Sequence, residues 1–399
     1  NAADIYRQQV ALGHWIAAYL PADARIAIND AGAMKYYGNR YTVDLVGLTS
    51  NDLAGLRHLG DAPIFDQLLA RPLAQRPDYF IVYDSWFPEL VRLPGFLTEI
   101  HRTHLLHNTV TSGDDVPVYQ AHWEAIHTAD QPLLDHRADD TEQPAAKVVV
   151  TGGLGSDPVY LAHLVLPAAH GVTLRAEAAG AARLDYLELV EDGSSQATRL
   201  VAAGLPLSAT ATLPAGSYRL YAAGQLPAGA PLTVRLLTPD LRLGLPAKGP
   251  APRRQLVDQL DLGNLAAEQA HAYTIGTGHW DVYPTTLLKS ATYAAAPATP
   301  YVDTGRSVPG WQQMTVATTP GRALKLVLRY LSPGAQRVQV AVDGQDAGLW
   351  FYPGTAGWGE AEFVVPAPLI TQAHTRLQLT LVPDAAGHPL DGFYLWFYQ

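Results

Sequence analysis

The sequence predicts a multidomain protein in which an α/β N-terminal domain with a mixed sheet precedes two all-β sandwich domains. Three observations predict this. Helix-period and strand-period segments alternate over the first 127 residues, short β-type runs broken by Gly, Pro and Ser take over from residue 147, and two stretches without periodicity separate the parts. A length of 399 residues is ample for two or three such cores.

The elements follow in order. Ile5, Val10, Leu12, Trp15, Ile16, Tyr19 and Leu20 suit a helix that Pro21 and Asp23 end, and Arg25 to Asn29 reads as a strand. Thr42 to Val46 is a second strand, Leu53 to Leu69 a helix with Pro72 beyond it, and Asp78 to Tyr83 a nearly continuous buried strand. Glu99 to Leu106 and Val116 to Trp123 read as extended, antiparallel edge segments, which puts the end of this Rossmann-like domain at residue 127. Residues 128–146, rich in Asp and without sustained periodicity, read as a linker. Residues 147–244 are a β-sandwich, the Pro/Gly-rich stretch 245–254 a second linker, and the longer, cleanly alternating strands of 255–399 a larger sandwich of jelly-roll type.

Composition excludes several function classes. The chain carries 27 Lys+Arg against 37 Asp+Glu, a net charge of −10, and has no basic run or aromatic-plus-basic ladder, so no nucleic-acid partner is expected. The absence of cysteine removes disulfides, thiolate metal sites and a thiol nucleophile. No cofactor or metal site is expected, and no Gly-x-Ser-x-Gly, His-Glu-x-x-His or Walker-type run is present. His101, His104 and His107 stand three apart, but Thr103 and the flanking Ile100, Leu105 and Leu106 favour an extended segment whose faces alternate. The chain opens Asn1-Ala2-Ala3 in the middle of a helical pattern and reads as a fragment of a longer protein.

The richest stretch runs from Ile26 to Ser50. A strand ends in Asn29-Asp30, a small-residue turn leads to a short helix, and the next strand delivers Asp44 ahead of Gly47 and Thr49. The carboxyl ends of strands form the functional edge of an open α/β sheet, so Asp30, Tyr37, Arg40 and Asp44 are candidate ligand-binding residues. Asp84 and Trp86 join them after the buried strand, with Trp86 as a sugar-stacking ring. The alternative stays open that Asp30 caps a helix, Arg40 pairs with a carboxylate to fix the turn, and Trp86 and Phe87 open a helix capped by Ser85.

The run DAGAMKYYGNRYTVDLVGLTSND, followed by RPDYFIVYDSWFPEL and VPVYQAHWE, resembles the soluble region after the last membrane helix of GT-C-class glycosyltransferases related to protein O-mannosyltransferases. The resemblance spans about residues 5–125. It implies an extracytoplasmic accessory region without catalytic residues of its own, tethered through an N-terminal transmembrane region to an enzyme that uses polyprenyl-linked sugars. The stretch VQVAVDGQDAGLWFYPGTAGWGEAEFVVPAPLI and the closing FYLWFYQ resemble galactose-binding-like jelly rolls, the fold of many carbohydrate-binding modules. Trp280, Trp350, Tyr352 and Trp358 are the candidate stacking rings there, with Arg306, Asp281 and Asp303 in loops beside them. The expected partner is therefore a carbohydrate or a polyprenyl-linked acceptor. The alternatives are a secreted glycoside hydrolase, which needs a carboxylate pair such as Asp30 with Asp44 or Asp84, and a surface adhesion or scaffold protein.

Overall fold

Parity along three short strands decides the first layer. The computed structural model describes residues 2–137, 143–151, 154, 158–166, 168–178, 180–191, 197–201, 205–227, 230–245, 253–276, 285–294, 296–352, 354–383 and 387–399. Its N-terminal sheet has the order β2-β1-β3-β5-β4, built from β1 (Arg25–Ile28), β2 (Tyr41–Asp44), β3 (Tyr79–Ile81), β4 (Leu97–His104) and β5 (Asp115–Ala121). β1 runs parallel to β2 and β3, while β5 is antiparallel to both β3 and β4, so the sheet is mixed. Ile26 and Ile28 point to one face, where Leu12, Ile16 and Met34 cover them; Ala27, Val43 and Phe80 point to the other, against Ile64, Phe65 and Leu68. Helices thus close both faces: α2 (Ala11–Tyr19), which α1 (Ala2–Ile5) precedes, and α3 (Ala33–Gly38) on one, α4 (Asp61–Leu69) on the other.

Two local departures from the expected elements have physical causes. A π turn, Tyr6–Val10, joins α1 to α2 where the polar pair Gln8-Gln9 interrupts the apolar spacing. It turns both amides inward, and Gln8 Nε2 donates to Gly113 O at 2.9 Å while Gln9 Nε2 donates to the Tyr83 hydroxyl at 3.1 Å. The helix expected from Leu53 forms only from Asp61, because Gly55 and Gly60 adopt φ of +80° and +115° and leave two 3-10 turns before α4. Small residues also set the helix crossing: a Cβ on Gly13 would lie 2.7 Å from the Tyr37 Cβ, so α2 and α3 approach closely only because Gly13 lacks one.

The middle unit is antiparallel. Strands β6 (Gln143–Ala145), β7 (Lys147–Thr151), β8 (Val159–Leu166), β9 (His170–Ala178), β10 (Arg183–Glu191), β11 (Ala197–Val201), β12 (Leu207–Leu213), β13 (Gly216–Gln225), β14 (Pro231–Leu236) and β15 (Leu243–Leu245) form two sheets. Their orders are β11-β10-β13-β8-β15-β6 and β12-β9-β14-β7. Alternate residues such as Leu187, Leu189, Leu220, Leu174 and Val234 fill the space between the sheets.

The C-terminal unit repeats the sandwich plan with longer strands. They are β16 (Leu256–Asp261), β17 (Thr274–Gly276), β18 (Thr285–Tyr293), β19 (Ala296–Val308), β20 (Trp311–Ala317), β21 (Leu324–Leu331), β22 (Gln336–Val342), β23 (Gln345–Tyr352), β24 (Gly359–Val365), β25 (His374–Val382) and β26 (Leu390–Tyr398), with α5 (Leu265–Ala270) after β16. One sheet has the order β18-β19-β26-β21-β24 with β16 also on β26, and the other β17-β20-β25-β22-β23. The closing strand β26 is buried on both faces: Leu395 and Phe397 enter the sandwich core, while Tyr394, Trp396 and Tyr398 pack with Val327 on the outer side.

Contacts of long sequence separation join the first unit to the last. Leu288 and Val302 of the sandwich complete the core under α4, Lys289 Nζ meets Glu89 Oε1 at 2.7 Å, and Thr286 donates its hydroxyl to Leu59 O. Residues 128–137, the start of the expected linker, have neither helix nor strand and lie along the outer face of the C-terminal sandwich.

Candidate functional site

The carboxylates expected to converge on the sheet edge stand in three different settings. Asp44 is buried, and its Oδ1 accepts Val46 N and Gly47 N at 3.0 and 3.3 Å while its Oδ2 accepts Thr49 N at 2.8 Å, so it ties its own turn. Arg40 is likewise a brace. Its guanidinium donates to the carbonyls of Pro21, Gly38, Ala17 and Leu20, which locks the end of α2 to the turn after α3; the partners are carbonyls, not a carboxylate. Asp84 accepts the Tyr119 hydroxyl at 2.8 Å and stands 3.9 Å from Arg102. Asp30 is half-buried at the end of β1, next to Asn29, whose Oδ1 receives Tyr83 N. Trp86 is half-buried in a run of turns, not in a helix, and packs between the two hydrophobic clusters of the domain with Arg57 above its ring.

The stacking rings expected in the C-terminal sandwich are corrected by strand parity. Trp350 and Tyr352 stand on the same side of β23, and that side is the interior: they are 1% and 0% exposed and touch each other, Tyr330 and Phe363. Trp358 is buried edge-on against Phe393 and donates its Nε1 to Tyr301 O at 3.0 Å. None of these three rings can meet a sugar face without unfolding its surroundings. Trp280 and Asp281 lie outside the described residues. Asp303 and Arg306 are on strand β19, not in loops; Arg306 forks onto Glu268 with both bonds at 2.7 Å, and Asp303 meets Arg329 at 2.6 Å.

Several tyrosines of the α/β domain stand open to solvent. Tyr6, Tyr19, Tyr36, Tyr37 and Tyr41 are between 40 and 79% exposed. Of the expected ligand residues, Tyr37 is the one among these exposed tyrosines. Its ring lies 4.9 Å from the His14 ring and 5.0 Å, edge-on, from Tyr36; Arg25 covers one face of Tyr41, and Trp15 stacks on His101 at 4.4 Å. His101, His104 and His107 do not gather: the second pairs with Asp115 and the third sits at a positive-φ turn. Among the described residues no group of three or more His, Cys, Asp or Glu side chains is arranged to hold a metal ion.

Sequence reasoning missed a buried charge network at the junction of the three segments. A cavity of about 70 Å³ is lined by Asp66 from α4, Asp130 from the 128–137 segment, Asp261 from β16 and Asp303 from β19, beside Tyr394. Burial pushes the Asp66 carboxyl up to about 7, against its hydrogen bond from Thr304 and with repulsion from Asp303 and Glu268. Burial and the neighbouring aspartates push Asp261 up to about 9, and burial pushes Asp303 up to about 6 in spite of Arg329. Arg329, 1% exposed, continues the network toward Glu360 at 3.7 Å, and Glu360 holds His136 at 2.8 Å. No local pattern announces these pairs, since their members are far apart in the chain.

A family model described as "Domain of unknown function (DUF8728)" matches residues 3–148. No curated protein matches the chain. Among solved structures the chain is similar to a family 35 carbohydrate-binding module from Clostridium thermocellum, at 13% identity and a TM-score of 0.22, over 35% of this chain and 97% of that one. It is also similar to a carbohydrate-binding module of Cellvibrio mixtus lichenase 5A in complex with cellotriose, at 9% identity and a TM-score of 0.24, over 36% and 98% of the two chains. A third is a glycoside hydrolase family 43 arabinoxylan arabinofuranohydrolase from Bacillus subtilis, at 16% identity and a TM-score of 0.24, over 43% of this chain and 34% of that one. No helix among the described residues is long and apolar enough to cross a membrane.

Proposed function

We propose that this chain is a glycan-binding, extracytoplasmic accessory region of a membrane glycosyltransferase-like protein, with bond chemistry supplied by a membrane-embedded part tethered to its N-terminus. The observation that carries the glycan reading is the exposed, contacting pair Tyr36 and Tyr37 on α3. Exposed rings bearing a phenolic hydroxyl offer an apolar face to a pyranose and a hydrogen bond at its rim, and His14 and Lys35 stand exposed beside Tyr36 and Tyr37. The membrane context rests on the resemblance of residues 5–125 to the soluble region of GT-C-class enzymes. A hydrolase would need two carboxylates facing one cleft, and Asp44 has both oxygens committed to its own turn.

The test is calorimetric titration of the full chain with a panel of soluble saccharides, in the natural sequence and in Tyr36→Ala and Tyr37→Ala. Binding that both variants weaken at least about tenfold, about 1.4 kcal/mol, supports the reading. Absence of binding across the panel, together with retention on lipid vesicles, would instead make the Tyr36–Tyr37 face a membrane-facing surface.

A further inference from the structure

The 128–137 segment is held where it lies by side chains of the sandwich. Arg329 donates to Ala129 O at 2.7 Å and to Gln131 O at 3.1 Å, Trp396 Nε1 donates to Asp130 O at 3.1 Å, and the Glu360 carboxylate accepts Leu133 N and Leu134 N at 2.9 and 3.1 Å. Its far end is pinned by His136, beside a backbone bond from Arg254 N to Arg137 O at 2.8 Å. That ring, 4% exposed, sits between two glutamates two residues apart on β24: Nε2 to Glu360 at 2.8 Å and Nδ1 to Glu362 at 2.5 Å. Beneath the segment Tyr394 and Trp396 stack at 4.5 Å and 17°, on the side of β26 that faces away from the sandwich core.

Both ring nitrogens face carboxylate oxygens, so this geometry is satisfied only by imidazolium, which has two donors. A neutral ring has one donor and one acceptor, and its acceptor would be left facing an anion. We propose that residues 128–137 form a strap over the Tyr394–Trp396 face, whose far end around residues 134–136 is locked by protonated His136 and loosens when that proton leaves. The groups facing His136 are Glu360 and Glu362 from β24. Lys325 from β21 holds Glu362 at 3.0 Å, Tyr293 from β18 and Arg329 from β21 meet Glu360 at 3.1 and 3.7 Å, and Tyr398 from β26 interacts with both carboxylates; Asp135, which Arg253 meets at 2.5 Å, and Arg137 flank His136 on the strap itself. Burial alone would lower the imidazolium, but the hydrogen bonds and charges of Glu360 and Glu362 outweigh it and hold the ring at about 9. The far end of the strap is therefore locked through neutral pH and loosens above it.

The chain has no cysteine, so Leu134→Cys, at an exposed strap position, carries a single spin label in the 399-residue chain. The expected spectrum is immobilised at pH 7 and gains a mobile component with a midpoint near 9, while the far-ultraviolet circular dichroism stays constant. In a His136→Gln background the label is mobile already at pH 7. Glu362→Gln, which changes the half-exposed partner and leaves His136 in place, moves the midpoint down by about one unit, a tenfold change in proton affinity. An unchanged spectrum up to pH 10, or a midpoint that Glu362→Gln leaves where it was, overturns the proposal.

Discussion

Thr304 of the C-terminal sandwich donates its hydroxyl to both carboxylate oxygens of Asp66 on α4, at 3.2 and 3.0 Å. One side chain from each unit thus meets beside a cavity that also holds Asp130, Asp261 and Asp303, with Arg329 as the buried cation at hand. The contact is between residues 238 positions apart, and it holds in place one of the carboxylates whose burial makes the junction respond to pH.

Asp66, Asp261 and Asp303 have folded-state values of about 7, 9 and 6 against 3.8 for the free side chain. Values raised on folding mean that the native state binds protons the unfolded chain has lost. The stability tied to them is complete below about pH 4 and is lost as pH rises through 6 to 9. Thermal midpoints measured from pH 5 to 9 should fall on the alkaline side. Asp66→Asn, which keeps an acceptor for Thr304 without a charge, should flatten that fall; an equal slope in the variant would remove Asp66 from the account.

Arg306 and Glu268 form a buried fork, both side chains under 10% exposed. Arg306→Ala leaves Glu268 charged and unpaired, so urea unfolding should show a loss of about 3–5 kcal/mol. Replacing both by apolar residues of similar size should cost less than either single change, and a double-mutant cycle reads the difference.

Trp350→Ala opens a cavity among Tyr352, Tyr330 and Phe363 and should cost about 3–5 kcal/mol in denaturant unfolding. Tyr36→Ala, at a ring 79% exposed, should change stability by no more than about 0.5 kcal/mol. The contrast separates core aromatics from surface ones, and any saccharide affinity should follow the second kind.

Asp44→Asn turns an amide toward backbone donors that now meet carboxylate oxygens, and should cost about 1–3 kcal/mol. Gly47→Ala should be at least as damaging: Gly47 has φ of +87°, and a Cβ there would lie 2.5 Å from the Ala54 Cα. Both effects should appear as lowered thermal midpoints.

Much of the architecture was legible before any coordinates. Alternation of helix and strand periods from Ile5 to Tyr83 is a local signal, as are the turn-broken β runs that follow, and the antiparallel edge segments at 97–104 and 115–121 fall close to where their pattern puts them. The helix expected from Leu53 was misread because Gly55 and Gly60 weigh little against an apolar period until their φ angles are seen.

The candidate sites were less legible, for a reason of geometry. Sequence reveals which residues alternate along β23 but not which parity faces the opposite sheet, so Trp350 and Tyr352 beside a turn looked exposed and are core. Asp44 and Arg40 carried the right chemistry for a site, and only the folded turn shows their polar atoms already spent on backbone groups. By itself the sequence determined the order of α/β and β segments, the acidic charge and the absence of thiol chemistry, because these depend on composition and local period. Tertiary structure alone decided the pairings of Asp66 with Thr304, Asp303 with Arg329 and His136 with Glu360 and Glu362, since burial and long-range charge neighbours exist only once distant strands are brought together.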